Sequence, residues 1–265
     1  MNNKLSLAIR FRELIFFLIG SFFSMKHCPV IFCFHSVSDD DWLFSVPPRA
    51  FELLIKSLSD SKEIVKLDGL LHEELDKKNN KVAITFDDGY EDVFSSAYPI
   101  LKKYKVKACV FISGLPDDYG KFGSLNDKKL LDVKQIKTLK KAGWDIGYHT
   151  ATHPDLRKFD SSKLSEEIVN SKKRIEKILG FEIEYFAYPY GLFNKKVVDV
   201  VKTAGYKFAF TVAGGKLDAK STYEISRVLV DKYIKKEDLG IINSCQGLYF
   251  NKLFTTLLRI KDNLL

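Results

Sequence analysis

The sequence predicts a single-domain α/β barrel, on three observations. Short apolar runs of strand length alternate with segments whose apolar residues recur at helical spacing, the pattern of a mainly parallel sheet. The 265 residues suit one barrel of about 250 residues, and no Pro-, Gly- or Ser-rich linker divides them. Finally, several chemically capable residues fall at the C-terminal ends of predicted strands, the face on which such barrels carry their sites.

Taken in order, Pro29–His35 is a buried strand, an apolar run bounded by polar residues. Arg49–Leu58 has apolar residues at Phe51, Leu54, Ile55 and Leu58, which is helix spacing. Ile64–Leu67 and Val82–Phe86 are strands, and Asp92–Tyr104 is a helix that Pro99 should kink. Lys107–Ser113 is a strand. Asp132–Ala142 is a helix with Asp132 as N-cap and Gly143 beyond its end, and Trp144–His149 is the next strand. Ser162–Leu179 carries Leu164, Ile168, Ile175 and Ile178 on one stripe, and Gly180 stops it. Strands at Tyr185–Tyr188, Tyr206–Thr211 and Ile225–Leu229 follow, with helices at Lys195–Ala204 and Lys235–Asn243. The barrel is assigned to residues 29–243.

The two ends differ in character. Residues 1–28 form an apolar and basic helical segment in which Leu14–Met25 is mostly apolar, shorter than the roughly 20 residues of a membrane span. Residues 244–265 read as an amphipathic helix, with Leu248, Phe250, Leu253, Phe254, Leu257 and Leu258 among Lys252, Arg259 and Lys261. Both ends suit packing on the barrel or peripheral membrane contact. Arg10 and Arg12 precede the first apolar stretch as in a signal peptide, but no small-x-small cleavage site follows it.

Composition narrows the function classes. An apolar share of 46% excludes a disordered chain, and the 15 Gly and 7 Pro are too few for a collagen-like or low-complexity one. The net charge of +8 comes from lysines scattered among acids, with no basic run interleaved with aromatics, so no nucleic-acid partner is expected. None of the four cysteines forms a CxxC pair. Cys33 and Cys109 sit in apolar runs as free thiols, which favours the cytoplasm or its membrane face, with export the alternative.

Three segments carry chemistry. In Thr85-Phe86-Asp87-Asp88-Gly89-Tyr90, adjacent carboxylates follow a strand and a glycine turn can aim both at one centre, one binding a metal and the other handling protons. In Tyr148-His149-Thr150-Ala151-Thr152-His153-Pro154, two imidazoles four residues apart can converge on one ion. In Tyr188-Pro189-Tyr190-Gly191, the rigid Pro189 and the glycine turn can point the Tyr190 N–H into a site. An Asp with two His leaves coordination positions open for water and substrate, equipment for amide or ester hydrolysis. No GxSxG elbow, P-loop or GxGxxG is present.

These segments, in this order, resemble the first three motifs of the polysaccharide deacetylase (NodB-homology) family, across about Pro29 to Asp231. The resemblance implies a distorted (β/α)7-type barrel and a divalent metal, zinc first, with cobalt, nickel or manganese as alternatives. It implies removal of acetyl groups from a carbohydrate substrate. By position, Asp87 resembles the general base; Asp88, His149 and His153 resemble the metal ligands; and the Tyr190 N–H, set by Pro189, resembles an oxyanion donor.

Two departures stand out. The third motif lacks the family's usual arginine, for which Arg227 is the candidate substitute. No histidine follows His153, so the family's late general acid is missing. His35, in Phe34-His35-Ser36-Val37, resembles the N-terminal histidine that takes the acid role in the subgroup acting on exported poly-N-acetylglucosamine. The reading is therefore a metal-dependent sugar N-deacetylase with Asp87 as base and His35 as acid. The alternatives are a deacylase or deformylase of a membrane lipid-linked sugar and a catalytically inactive glycan-binding barrel.

Overall fold

The computed structural model describes residues 28–72, 80–114, 128–214, 217, 222–242, 244 and 248. Its strands are β1 (Val30–Phe34), β2 (Glu63–Ile64), β3 (Lys81–Phe86), β4 (Cys109–Ile112), β5 (Asp145–Tyr148), β6 (Tyr185–Ala187), β7 (Phe208–Thr211), β8 (Ile225–Ser226) and β9 (Val228–Leu229). They pair in parallel in the order β8-β7-β6-β5-β4-β3-β1-β9, with β2 added beside β3.

The ends of that order explain the architecture. β8 pairs with β7 and β9 with β1, yet only Arg227 separates β8 from β9 along the chain. The segment 225–229 is therefore one stave that joins both edges of the sheet. With it the strands make a nearly closed barrel, the (β/α)7 type expected from the sequence, and the closure leaves few unpaired edges.

Side chains alternate between two environments, as the period of a strand requires. Phe32, Phe34, Val82, Ile84, Phe86, Val110 and Ile112 face outward into the main core. Ile31, Ala83, Cys109, Phe111, Ala187, Phe210 and Ile225 face the barrel interior. Gly147 faces that interior as well: a Cβ there would lie 2.3 Å from Phe111 Cδ1, so the Phe111 ring occupies the room a side chain would need.

The helices pack outside. They are α1 (Pro48–Ser61), α2 (Leu67–Leu71), α3 (Tyr98–Lys103), α4 (Val133–Lys141), α5 (Ser161–Leu164), α6 (Ser171–Leu179), α7 (Lys195–Thr203) and α8 (Asp238–Ile242). α1 buries Phe51, Leu54, Ile55 and Leu58, the predicted stripe. α4 opens with a capping box between Asp132 and Gln135, and α6 ends at Gly180 in the left-handed conformation (φ 80°).

Two stretches depart from plain α-helix. A π-helical turn, Val93–Ala97, precedes α3, where Pro99 cannot donate to the turn before it, and a second, Ser165–Asn170, lies between α5 and α6. The predicted strand Ile64–Leu67 also ends early. After β2 the Val65 N–H still bonds Val82 O, but Leu67 and Leu70 then turn inward together as the buried face of α2.

Cys33 and Cys109 are buried free thiols, as expected, whereas Cys28 is disulfide-bonded. Among the described residues, no helix is long and apolar enough to cross a membrane. The predicted terminal segments, apart from Cys28, Ser244 and Leu248, lie outside the described residues.

Candidate active site

Every candidate residue but Arg227 follows the C-terminal end of a stave. His35 follows β1, Asp87 and Asp88 follow β3, His149 follows β5, the turn Pro189–Gly191 follows β6, and Arg227 lies in the closing stave. The sequence-predicted residues meet at one end of the barrel.

Asp87 and Arg227 form its base. The guanidinium donates from Nη1 to Asp87 Oδ1 at 2.6 Å and from Nη2 to Oδ2 at 2.7 Å, a bidentate pair. Arg227 is 0% exposed. It rests over the rings of Phe111 and Phe210, 4.9 and 5.8 Å from their centroids. Its remaining donors reach Thr85 Oγ1 (3.2 Å) and Thr211 O (3.4 Å). Cys33 adds an S–H donor to Asp87 Oδ2 at 3.3 Å. Burial would push the Asp87 carboxyl up, but the Arg227 charge, helped by the His149 and His35 imidazoles, outweighs it and holds the group below the usual carboxylate range.

Beside this pair, Asp88, His149 and His153 bring one donor atom each to within 4.8 Å of one another. Asp88 Oδ1 lies 3.6 Å from His149 Nε2 and 3.4 Å from His153 Nε2, and the two Nε2 atoms are 3.2 Å apart. His149 Nδ1 is 2.7 Å from Ala187 O. Because a carbonyl only accepts, that contact puts the proton on Nδ1 and leaves Nε2 as a lone pair facing the cluster. Burial pushes the Asp88 carboxyl up and the His149 imidazole down, and brings His153 down to about 4.

Asp88 Oδ1 is buried with no hydrogen-bond partner. A partnerless carboxylate oxygen facing two neutral imidazole nitrogens is short of positive charge, and a divalent cation would satisfy all three. The residues fit such an ion.

The backbone holding these groups is strained. Asp88 (φ 70°), Thr150 (φ 73°), His153 (φ 54°) and Tyr190 (φ 58°) all occupy the left-handed region without being glycine. Each such residue costs of order ~1–3 kcal/mol and persists only where the surroundings enforce it. Gly89 (φ 75°) lets the Asp87-Asp88 turn pass close to Ile112. At Tyr190, Gly191 N bonds Tyr188 O and Thr211 Oγ1 fastens Gly191 O at 2.8 Å. The Tyr190 ring, 41% exposed, lies 4.6 Å from the His153 ring, and Pro189 is buried beneath the turn.

His35 stands on the other flank, between Trp42 (5.7 Å) and Phe44 (5.0 Å). The loop carrying both aromatics is pinned at its start by Asp92, which accepts from Ser36 Oγ and the Val37 N–H. His35, Cys33 and Asp87 offer ligand atoms within 4.8 Å of one another, but both Asp87 oxygens already accept from Arg227. That group is therefore a hydrogen-bonding cluster around the carboxylate, with the guanidinium where a cation would sit. Burial lowers the His35 pKa despite the pull of Asp88 and Asp87.

Sequence reasoning missed Cys33 as a site residue. The signal was its two-residue step to His35, which puts both on the interior face of β1, opposite Thr85 in register.

The model of the family described as "polysaccharide deacetylase" matches residues 74–209, half of the chain. The chain belongs to the polysaccharide deacetylase family. Among curated proteins, this deacetylase is 32% identical over 212 residues to the poly-β-1,6-N-acetyl-D-glucosamine N-deacetylase of Staphylococcus aureus strain MRSA252, covering 74% of this chain and 71% of that one. It is 29% identical over 228 residues to the Bacillus subtilis protein YxkH, covering 84% of this chain and 76% of that one. Among solved structures, Streptococcus pyogenes deacetylase PplD superposes with a TM-score of 0.70 at 24% identity, over 83% of this chain and all of the other. IcaB from Ammonifex degensii superposes with a TM-score of 0.64 at 22% identity, over 84% and 98%. These two likenesses show the shared barrel. As a family member, the deacetylase is a hydrolase acting on a glycan.

Proposed function

We propose that this deacetylase removes N-acetyl groups from the amino sugars of a cell-envelope polysaccharide or glycan intermediate, and that it does so with a divalent metal. The observation behind this reading is the meeting of Asp88, His149 and His153 beside an Arg-paired Asp87. Two imidazole nitrogens and one carboxylate oxygen with open positions suit zinc best, then cobalt, nickel or manganese. When bound, the ion supplies a water of lowered pKa and polarises the acyl oxygen. The N-acetyl specificity is supported by the name of the Staphylococcus aureus relative.

The chain's own residues supply the rest. Asp87, kept ionised by Arg227, accepts the proton of the attacking water. The strained turn at Tyr190 presents its backbone N–H to the oxyanion, with Pro189 fixing the entry to the turn. His35 gives a proton to the departing amine. Burial lowers its pKa, and its ring lies in the Cys33–His35–Asp87 cluster beside the carboxylate that takes up the water's proton. Trp42 and Phe44 hold its ring in place. An inactive binding barrel would have no need to pair a buried Arg with this carboxylate. The disulfide at Cys28 supports an oxidising compartment outside the cytoplasm over the reducing one that the free thiols suggested.

The test is acetate release from N-acetylated glycans, β-1,6-linked glucosamine oligomers among them, with and without added zinc or cobalt. Metal-dependent release is expected, abolished by a chelator and restored by the ion. No release from any member of the panel by the metal-loaded protein would refute the proposal. His35→Ala is expected to lower kcat by about 10²–10⁴-fold with zinc content unchanged, the range for a lost proton donor. Turnover equal to wild type would remove His35 from the acid role.

A further inference from the structure

The turn His149–His153 raises a physical problem that its own residues do not solve. It holds two non-glycine residues in the left-handed region, Thr150 and His153, and His153 must still aim Nε2 at Asp88. Within the turn, the His153 N–H donates to Thr150 Oγ1 at 3.0 Å, a single neutral bond. The Gly114 N–H also fastens Thr150 O at 3.0 Å, but the restraint on the residue before His153 comes from fourteen residues beyond His153.

Glu167 is 6% exposed. It lies in the π-helical segment Ser165–Asn170, next to the apolar Ile168 and on a stretch whose other buried residues include Leu164 and Ile175. A carboxylate is rarely buried on such a face without a partner. Its partner is Thr152, exposed on the turn. Oε2 accepts the Thr152 backbone N–H at 2.9 Å, and Oε1 accepts the Thr152 hydroxyl at 2.6 Å. Both are charge-assisted, and together they fix the residue preceding His153 in position and orientation. Glu167 is itself held, since its backbone carbonyl accepts from buried Ser171 Oγ at 2.6 Å. A wide helical turn in an otherwise α-helical stretch recurs at functional sites.

We propose that Glu167 is a positioning residue for the metal centre: its carboxylate clamps Thr152 and so keeps the strained turn that presents His153 to the ion. The proposal rests on reading Asp88, His149 and His153 as a cation site. Glu167 touches neither ion nor substrate. It acts through Thr152, and its effect falls on metal affinity before turnover at saturating metal.

The experiment measures zinc dissociation constants for the full chain by competition with a chromophoric chelator, alongside apo-protein melting temperatures. Glu167→Gln, which replaces one acceptor by a donor, is expected to weaken zinc by about 10–100-fold, the range for outer-shell partners of metal ligands. Thr152→Val removes only the hydroxyl and should weaken zinc less. Thr152→Ser should bind as wild type does. The Glu167→Gln/Thr152→Val double variant should bind about as weakly as Glu167→Gln alone, because the two act through one contact.

A fall in melting temperature with unchanged zinc affinity would show a merely structural role and overturn the proposal. If Glu167→Gln does not fold, the threonine pair decides: weaker binding by Thr152→Val but not Thr152→Ser supports the clamp, and unchanged binding by both overturns it. A wild-type chain that takes up no zinc would overturn the cation-site reading itself. A wild type that binds while every variant binds equally would overturn the clamp alone.

Discussion

Replacing Asp87 with asparagine is expected to lower turnover by about 10²–10⁴-fold, the usual contribution of a positioned proton acceptor, while zinc remains bound. The two effects separate because the residue next along the chain, Asp88, faces the imidazoles, whereas Asp87 faces Arg227. Asparagine keeps the shape but loses the charge, and its amide turns one donor toward a guanidinium that has none to accept it. The variant should therefore also be less stable, which circular dichroism would register before kinetics are compared. Acetate-release kinetics and elemental analysis on the folded variant check the expectation. Near-wild-type turnover would take Asp87 out of the base role, and loss of zinc would mean that Asp87, too, is a ligand.

The largest effect on stability is expected from Arg227→Met. Removing one partner of a buried ion pair typically costs about 3–5 kcal/mol, because the other charge is left uncompensated. Here the rings of Phe111 and Phe210 also lose the guanidinium that rests over them. A melting temperature lower by about 2–4 °C per kcal/mol follows for a domain of this size class, with turnover falling as the carboxylate loses its orientation.

The pH dependence has a definite sign. The Asp87 pKa is depressed in the folded state, so its contribution is present in full above the unfolded value of about 3.9. It is lost as pH falls through the lower folded value. The stability gap between wild type and Arg227→Met should thus be largest at neutral pH and narrow as pH falls, first as the buried, unpaired Asp87 of the variant takes up a proton above the usual carboxylate range, and then in stronger acid as the wild-type pair is itself protonated. Equal melting temperatures at neutral pH would contradict the pair's role.

Much of the barrel could be read from the chain because strand and helix periods are local. The stripe Phe51, Leu54, Ile55, Leu58 and the caps at Asp132 and Gly180 are each specified within a few residues. Asp87, Asp88, His149 and His153 were legible for a similar reason, since each motif packs its chemistry into five or six residues. Arg227 was harder. Its partner lies 140 residues away, and only barrel closure brings the two together. Glu167 gave no local sign at all: beside Glu166 it reads as half of a solvated acidic pair. The outcome depended on which of the two the wide turn of the helix directs inward, and Glu166 instead pairs with Arg174 at the surface. The end of β2 was misplaced because Leu67 and Leu70 satisfy a strand and a short helix equally well in sequence.

The closing stave has a consequence for how the enzyme comes into being. The carboxylate proposed to handle the proton is Asp87, but the cation that tunes it is Arg227, 140 residues later, in the last of the described staves. A nascent or C-terminally truncated chain could gather Asp88, His149 and His153 and still have an untuned base. On the proposed mechanism, the base is tuned only once the closing stave is in place.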